Sequence, residues 1–296
     1  MTLIPARELV NTALQAYAEK WGYIWGKAGQ VWTQAQQDKA TRDMTVRYGQ
    51  RWVGKKVADC SGLFVWAYKQ HGMTIYHGSN TIWNKHIVEE TKAALAGVVK
   101  VRRGAAVFQN VDGKRTHIGW YQGGGMVVEE RGTQSGCILS PLATWDEVGE
   151  LKELGYSGEI YETFEIVPLD TLQKGSKGEL VKYLQTVLAE QGYDIGKDKD
   201  GKPLIDGIFG SSVLSAVRAF QHDHGLTPDG KVGQKTWKII KSLVQDDEPD
   251  DDEDEPEDVQ VEDDPPADAW DSMTLEQKVE DLNQRLRAVE GGESNG

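Results

Sequence analysis

The chain has 296 residues, 39% of them hydrophobic, with two cysteines and a formal charge of −14 at pH 7. This allows about two domains with ordinary cores and excludes a disulfide-stapled scaffold. The charge is uneven: residues 246 to 268 hold fifteen acidic and no basic side chains, leaving the first 245 residues at about +4. That mildly basic body suits an anionic surface, while the absence of Lys/Arg clusters with interleaved aromatics argues against nucleic acid.

Met1 to Glu8 lacks the apolar core and cleavage site of a secretion signal, and Leu9 to Lys20 reads as the first helix. Cytoplasmic synthesis without a leader is therefore expected, where a reducing milieu suits unpaired thiols. No run of about twenty apolar residues predicts membrane insertion. After Tyr23-Ile24-Trp25-Gly26 comes a polar stretch, Lys27 to Ala58, and then Asp59-Cys60-Ser61-Gly62. This tetrapeptide opens the apolar run Leu63 to Tyr68, which ends at His71-Gly72. The pattern predicts a buried helix of about ten residues, closed by a glycine in the left-handed cap. A cysteine in its first turn faces unpaired backbone N–H groups and the positive end of the helix dipole, which favour a nucleophilic thiolate. Cys60 is equally compatible with the role of a small buried hydrophobe.

Arg103 to Phe108 reads as a strand, as does the alternating segment Thr116 to Gln122, which contains His117. Gly123-Gly124-Gly125 turns the chain into Met126 to Glu130, so a hairpin brings His117 within a residue or two of Glu129. A one-residue slip would exchange Glu129 for Glu130. Cysteine at a helix start, histidine on a strand and an acceptor on the next strand form a chemically complete set for nucleophilic catalysis. Cys137 is expected to pack on a strand. His71, His77, His86, His222 and His224 show no ligand spacing, so neither metal nor cofactor is expected.

Tyr23-Ile24-Trp25-Gly26, Asp59-Cys60-Ser61-Gly62-Leu63, His117-Ile118-Gly119-Trp120-Tyr121 and Val128-Glu129-Glu130-Arg131-Gly132 occur in an order that resembles the NlpC-type papain-like cysteine peptidases. Members of that family cleave peptide stems of bacterial peptidoglycan. The resemblance spans roughly residues 8 to 168. It implies Cys60 as nucleophile, His117 as general base and Glu129 as the orienting residue. It also implies Tyr23 beside the thiol, with Asp59 and Ser61 lining the substrate cleft. Two features depart from the family. About thirty residues intervene between Gly26 and Asp59, an insertion expected to form a lid or substrate wall. Ala105 stands where the family commonly has aspartate.

The second half carries an amphipathic helix, Val181 to Gly192, and then a repeated unit. Asp206-Gly207-Ile208-Phe209-Gly210 and Asp229-Gly230-Lys231-Val232-Gly233 each supply a turn, an apolar anchor and a glycine before a helix. This is similar to the small three-helix peptidoglycan-binding domain found in many wall hydrolases. Beyond it, the acidic, proline-bearing stretch should stay an extended linker. Leu275, Val279, Leu282, Leu286 and Val289 then form an a/d seam about two heptads long, fit for self-association or for folding back as a short amphipathic helix.

The expected architecture is α+β: a papain-like domain with its cysteine helix packed on an antiparallel sheet (1–168), a three-helix wall-binding domain (169–245), a disordered acidic linker (246–270) and a short helix (271–290). The expected activity is hydrolysis of stem peptides, with the D-isoglutamyl–diamino acid bond implied by the family, by an endolysin-like enzyme of phage or prophage type that acts on the wall after release. The alternatives are an N-acetylmuramoyl-L-alanine amidase with the same chemistry and a non-lytic wall-binding virion protein.

Overall fold

The computed structural model describes residues 3–166 and 171–243. The expected acidic linker, the helix over 271–290 and its self-association lie outside these residues. Among the described residues no helix is long and apolar enough to cross a membrane.

The chain is α+β. Residues 3–166 are organised on a six-stranded antiparallel sheet. Its order is Cys137–Pro141, Met126–Glu130, Lys114–Gly123, Ala106–Val111, Glu147–Gly149 and Ala93–Ala94. Side chains alternate between its two faces. Phe108, Ile118, Trp120, Val128 and Cys137 share one core with the N-terminal helix Ala6–Ala18 and the cysteine helix Cys60–Gln70. Val107, Tyr121, Val127 and Val148 share another with Leu142, Trp145 and the ribbon of Gly97–Arg102 and Tyr161–Ile166.

Several element boundaries differ from the sequence expectation, among them the helix expected over Val181 to Gly192, which runs Glu179–Glu190. The first helix starts at Ala6, because Pro5 at φ −59° is already set for the helix entry. The strand expected from Arg103 starts at Ala106. Gly104 takes φ +92°, and the Ala105 N–H closes a turn on the Arg102 carbonyl at 3.0 Å.

The insertion is a folded layer. Ala28–Val31 and Lys56–Ala58 join Gly22–Tyr23 in a three-stranded sheet, with short helices between. Ile24, Trp32, Trp52 and Val57 form a small core there, and Trp52 Nε1 donates to the Thr133 carbonyl at 2.6 Å.

Residues 171–243 form three helices, Glu179–Glu190, Ser211–Asp223 and Gln234–Leu243, around Leu184, Phe209, Val217, Phe220, Val232 and Trp237. The repeated Asp-Gly turns are held in the same way. The Gln185 side chain donates to Asp206 Oδ1 and accepts from the Gly207 N–H, both at 2.8 Å. The Gln221 side chain donates to Asp229 Oδ1 at 2.9 Å and accepts from the Gly230 N–H at 2.8 Å. Helix Glu179–Glu190 lies along Cys137–Pro141, the outermost strand of the large sheet, and so covers an edge that would otherwise expose unpaired backbone.

Candidate active site

Cys60 is the first residue of its helix, and Asp59 is the N-cap. One Asp59 oxygen accepts the Gly62 N–H and the other the Gly26 N–H, both at 2.6 Å. The ring Nε2 of His77 sits 2.8 and 2.9 Å from the two oxygens, and Ser61 Oγ donates to Oδ1 at 3.2 Å. Burial works to raise the Asp59 pKa, but the facing His77 and the two backbone N–H groups outweigh it and hold the group below the usual carboxylate range. Asp59 is thus the buried anion that fixes where the cysteine helix begins. Gly62 is required by packing: a Cβ there would lie 1.9 Å from the Lys27 carbonyl oxygen, which also accepts the Asp59 N–H. Tyr23 pairs with Ala58 in the adjacent sheet, two residues before the thiol. Tyr23, Asp59, Cys60 and Ser61 are all buried.

On the sheet, His117 Nε2 lies 2.6 Å from Glu129 Oε2. Burial raises the Glu129 pKa, but hydrogen bonding and charge from His117, the Arg131 guanidinium and a bond from Ser140 reverse this and hold it below its ordinary value. A carboxylate only accepts, so Nε2 of His117 carries the hydrogen and Nδ1 is left as the basic nitrogen. Trp145 stacks on the imidazole with centroids 5.3 Å apart, and its Nε1 donates to Ser140 Oγ at 3.1 Å. Gly119 makes room for this stack, since a Cβ there would fall 2.6 Å from Val127 and 2.9 Å from Trp145.

Glu130 points to the opposite face, as the period of two requires. Burial, with the charges of Asp59 and Glu129, pushes its pKa well above the ordinary value, which favours the neutral acid beside the Cys137 thiol. Of the two adjacent glutamates, only Glu129 bonds to His117.

Two contacts tie the cysteine element to the histidine strand. Phe64 stacks on Trp120 with centroids 4.0 Å apart. The loop through His77 holds Asp59 at one end, while Ser79 Oγ at the other donates to the Arg115 carbonyl at 2.5 Å. Cys60 has no exposed surface and His117 is 3% exposed. Sequence reasoning missed His77, Trp145, Ser140 and Arg131. Their places depend on contacts across tens of residues, and the legible cue was only an aromatic after the strand pair. Other histidines bond elsewhere, His71 with Thr12 at 2.9 Å and His86, through Nδ1 alone, with Glu153 at 2.7 Å. Among the described residues no group of three or more His, Cys, Asp or Glu could hold a metal ion.

Residues 46–147 match the NlpC/P60 family, and residues 177–240 match the family described as "Putative peptidoglycan binding domain". The spore cortex-lytic enzyme of Bacillus cereus is 38% identical over 69 residues, which are 23% of this chain and 24% of that one. An uncharacterized protein of Kitasatospora aureofaciens is 41% identical over 66 residues, 22% of this chain and 51% of that one. The chain thus spans between a quarter and half the length of these curated relatives. The NlpC/p60 domain of the peptidoglycan hydrolase SagA is 17% identical, with 50% of this chain and 99% of that one covered and a TM-score of 0.33.

Proposed function

We propose that this chain, which joins an NlpC/P60 cysteine-peptidase domain to a peptidoglycan-binding domain, cleaves stem peptides of bacterial peptidoglycan through an acyl-enzyme on Cys60. The observation that carries the mechanism is the His117–Glu129 bond at 2.6 Å, which holds the hydrogen on Nε2 and makes Nδ1 the basic nitrogen, the atom we assign to take the thiol proton. The thiolate attacks a stem-peptide carbonyl, and the resulting oxyanion is met by backbone N–H groups at the start of the cysteine helix. Collapse breaks the C–N bond, and His117 returns its proton to the leaving amine. Water, deprotonated by His117, then attacks the thioester, releasing the acid and regenerating the thiol. Glu129 orients the imidazole and offsets its charge when protonated. Tyr23, Asp59 and Ser61 shape the wall of the cleft, Asp59 also by anchoring the helix that carries the sulfur.

The scissile bond we assign joins D-isoglutamate to the following diamino acid, with residues 169–245 holding the enzyme on its insoluble substrate. Digestion of purified sacculi and mass analysis of the soluble fragments tests this. New amino termini on the diamino acid are expected from the wild type and none from Cys60→Ala. Fragments cut at the muramic acid–L-alanine bond would make the chain an amidase. Binding to sacculi without any soluble fragment would leave only adhesion.

A further inference from the structure

The three-helix unit contributes charge to the neighbourhood of the catalytic pair. Arg131 follows the strand that ends at Glu130 and is 2% exposed. Its Nε lies 3.7 Å from Glu190, and its guanidinium stacks 4.3 Å from the ring centroid of Tyr183, both on helix Glu179–Glu190. None of its three guanidinium nitrogens makes a hydrogen bond of ordinary geometry. A buried cation is costly unless other charges compensate it. Here the compensating groups are Glu190 and Tyr183, on the helix of the neighbouring unit, and Glu129, two residues back in the chain. That helix is pinned to the sheet beside this site. Ser135 Oγ donates to Glu190, and Lys241 Nζ donates to Asp146 at 2.7 Å, next to the Trp145 that stacks on His117.

We propose that Arg131 is a positioning residue through which Tyr183 and Glu190 of the wall-binding unit set the charge balance of the Glu129–His117 pair, making that unit part of the catalytic assembly as well as a tether. The proposal rests on the reading of His117 as base and Glu129 as its orienter.

The groups facing the pair are few. His117 and Arg131 act directly on Glu129. Glu190 and Tyr183 act on Arg131, with Tyr183 neutral because burial pushes its hydroxyl up to about 12. Glu130 and the Cys137 thiol are both raised, and Asp59, paired with His77, is an anion that acts on Glu130. Arg131 is thus the charge outside the pair that acts on Glu129, and Tyr183 and Glu190 act in turn on Arg131.

Opposite shifts follow. Without the Arg131 charge, the buried Glu129–His117 pair loses its countercharge and holds a proton more tightly. Without the Glu190 charge, Arg131 weighs more heavily on Glu129 and the pair holds its proton less tightly. In the full chain, ring-labelled histidine NMR, with His117→Gln used for assignment, should show the His117 midpoint rising by about one pH unit in Arg131→Met. In Glu190→Gln it should fall by a few tenths of a unit, since that charge acts at one remove. On a soluble muropeptide, which offers no wall to grip, Arg131→Met should lose about tenfold in kcat with KM little changed. Should Arg131→Met fail to fold, the sign of the Glu190→Gln shift alone decides. An unmoved His117 midpoint in the folded variants, or shifts of the same sign, would overturn the coupling. A wild type that cuts no wall fragment while these titrations still move would instead sink the assigned function.

Discussion

Two pairs of like residues in this chain behave in opposite ways. Gln185 and Gln221, in successive units of the three-helix domain, do one job twice: each caps an aspartate and a glycine N–H of the following turn. Glu129 and Glu130, neighbours on one strand, do different jobs. The first is a carboxylate bonded to His117, the second a neutral acid beside Cys137. Equivalent positions in a helical repeat see the same surroundings, so identity of residue carries identity of role. Adjacent positions in a strand face opposite sides of the sheet, so the same residue meets a cation on one side and an apolar core with an anion on the other.

The difference should be largest in activity. Glu129→Leu removes the acceptor that fixes the His117 tautomer, and kcat/KM on wall fragments should fall about 10²- to 10³-fold. It also strands the Arg131 charge, so thermal unfolding should report a loss of about 3 kcal/mol. Glu130→Gln replaces a neutral acid by its neutral isostere, and turnover near neutral pH should stay within about twofold. Comparable losses in both variants would mean that the two glutamates share one role.

Helix-start geometry should come next. In Gly62→Ala the new methyl meets the Lys27 carbonyl at 1.9 Å, a backbone atom that cannot swing away. The entry of the cysteine helix must shift, at a cost of about 3 kcal/mol in denaturant unfolding, and the sulfur moves with it.

The motifs to which we assign the chemistry were legible because each is local. Asp59 to Gly62 combines a cap, the proposed nucleophile and a close-approach glycine within four residues, and the His117 hairpin is set by its three-glycine turn, with φ values of +105°, +62° and +74°. The choice between Glu129 and Glu130 needed the observed register, in which Trp120 lies opposite Val128. His77, Trp145 and Arg131 were hidden for another reason. His77 acts on a residue eighteen positions earlier, and Arg131 on a helix some fifty positions later, so no spacing rule connects them. The insertion looked polar and was expected as a lid or wall. Its core of Ile24, Trp32, Trp52 and Val57 gathers apolar residues too far apart to make a periodic pattern. In the three-helix unit the Asp-Gly turns were visible as a repeat, whereas the glutamines that clamp them were not, because each is a polar residue beside a buried apolar one, Leu184 or Phe220, and spacing alone does not mark it as buried.

The glutamine clamps should give equal, intermediate effects. Gln185→Ala and Gln221→Ala each leave a buried glycine N–H and an aspartate oxygen without their partner, which costs about 1–3 kcal/mol apiece. Their measured losses in urea unfolding should agree within about 0.5 kcal/mol, since the sites share no partner. A much larger loss at one clamp would show that the repeat is only formal.

The last effect, gradual rather than abrupt, is a pH dependence that separates the glutamates by sign. Glu129 is held below its unfolded pKa, so its contribution is present above that value and disappears as pH falls through the folded one. Glu130 is raised, so the folded state binds the extra proton and stability declines as pH rises from the unfolded pKa towards the folded one. Glu130→Gln abolishes that decline, because an amide has no proton to lose. Its stability relative to the wild type should be flat below about pH 4 and then rise, at most by about 1.4 kcal/mol per pH unit. Melting temperatures of the two proteins at pH 4, 6 and 8 measure this directly. A gap that stays constant across the three would mean that Glu130 is already ionised in the folded chain. The two faces of the strand would then not divide the charge as their surroundings require.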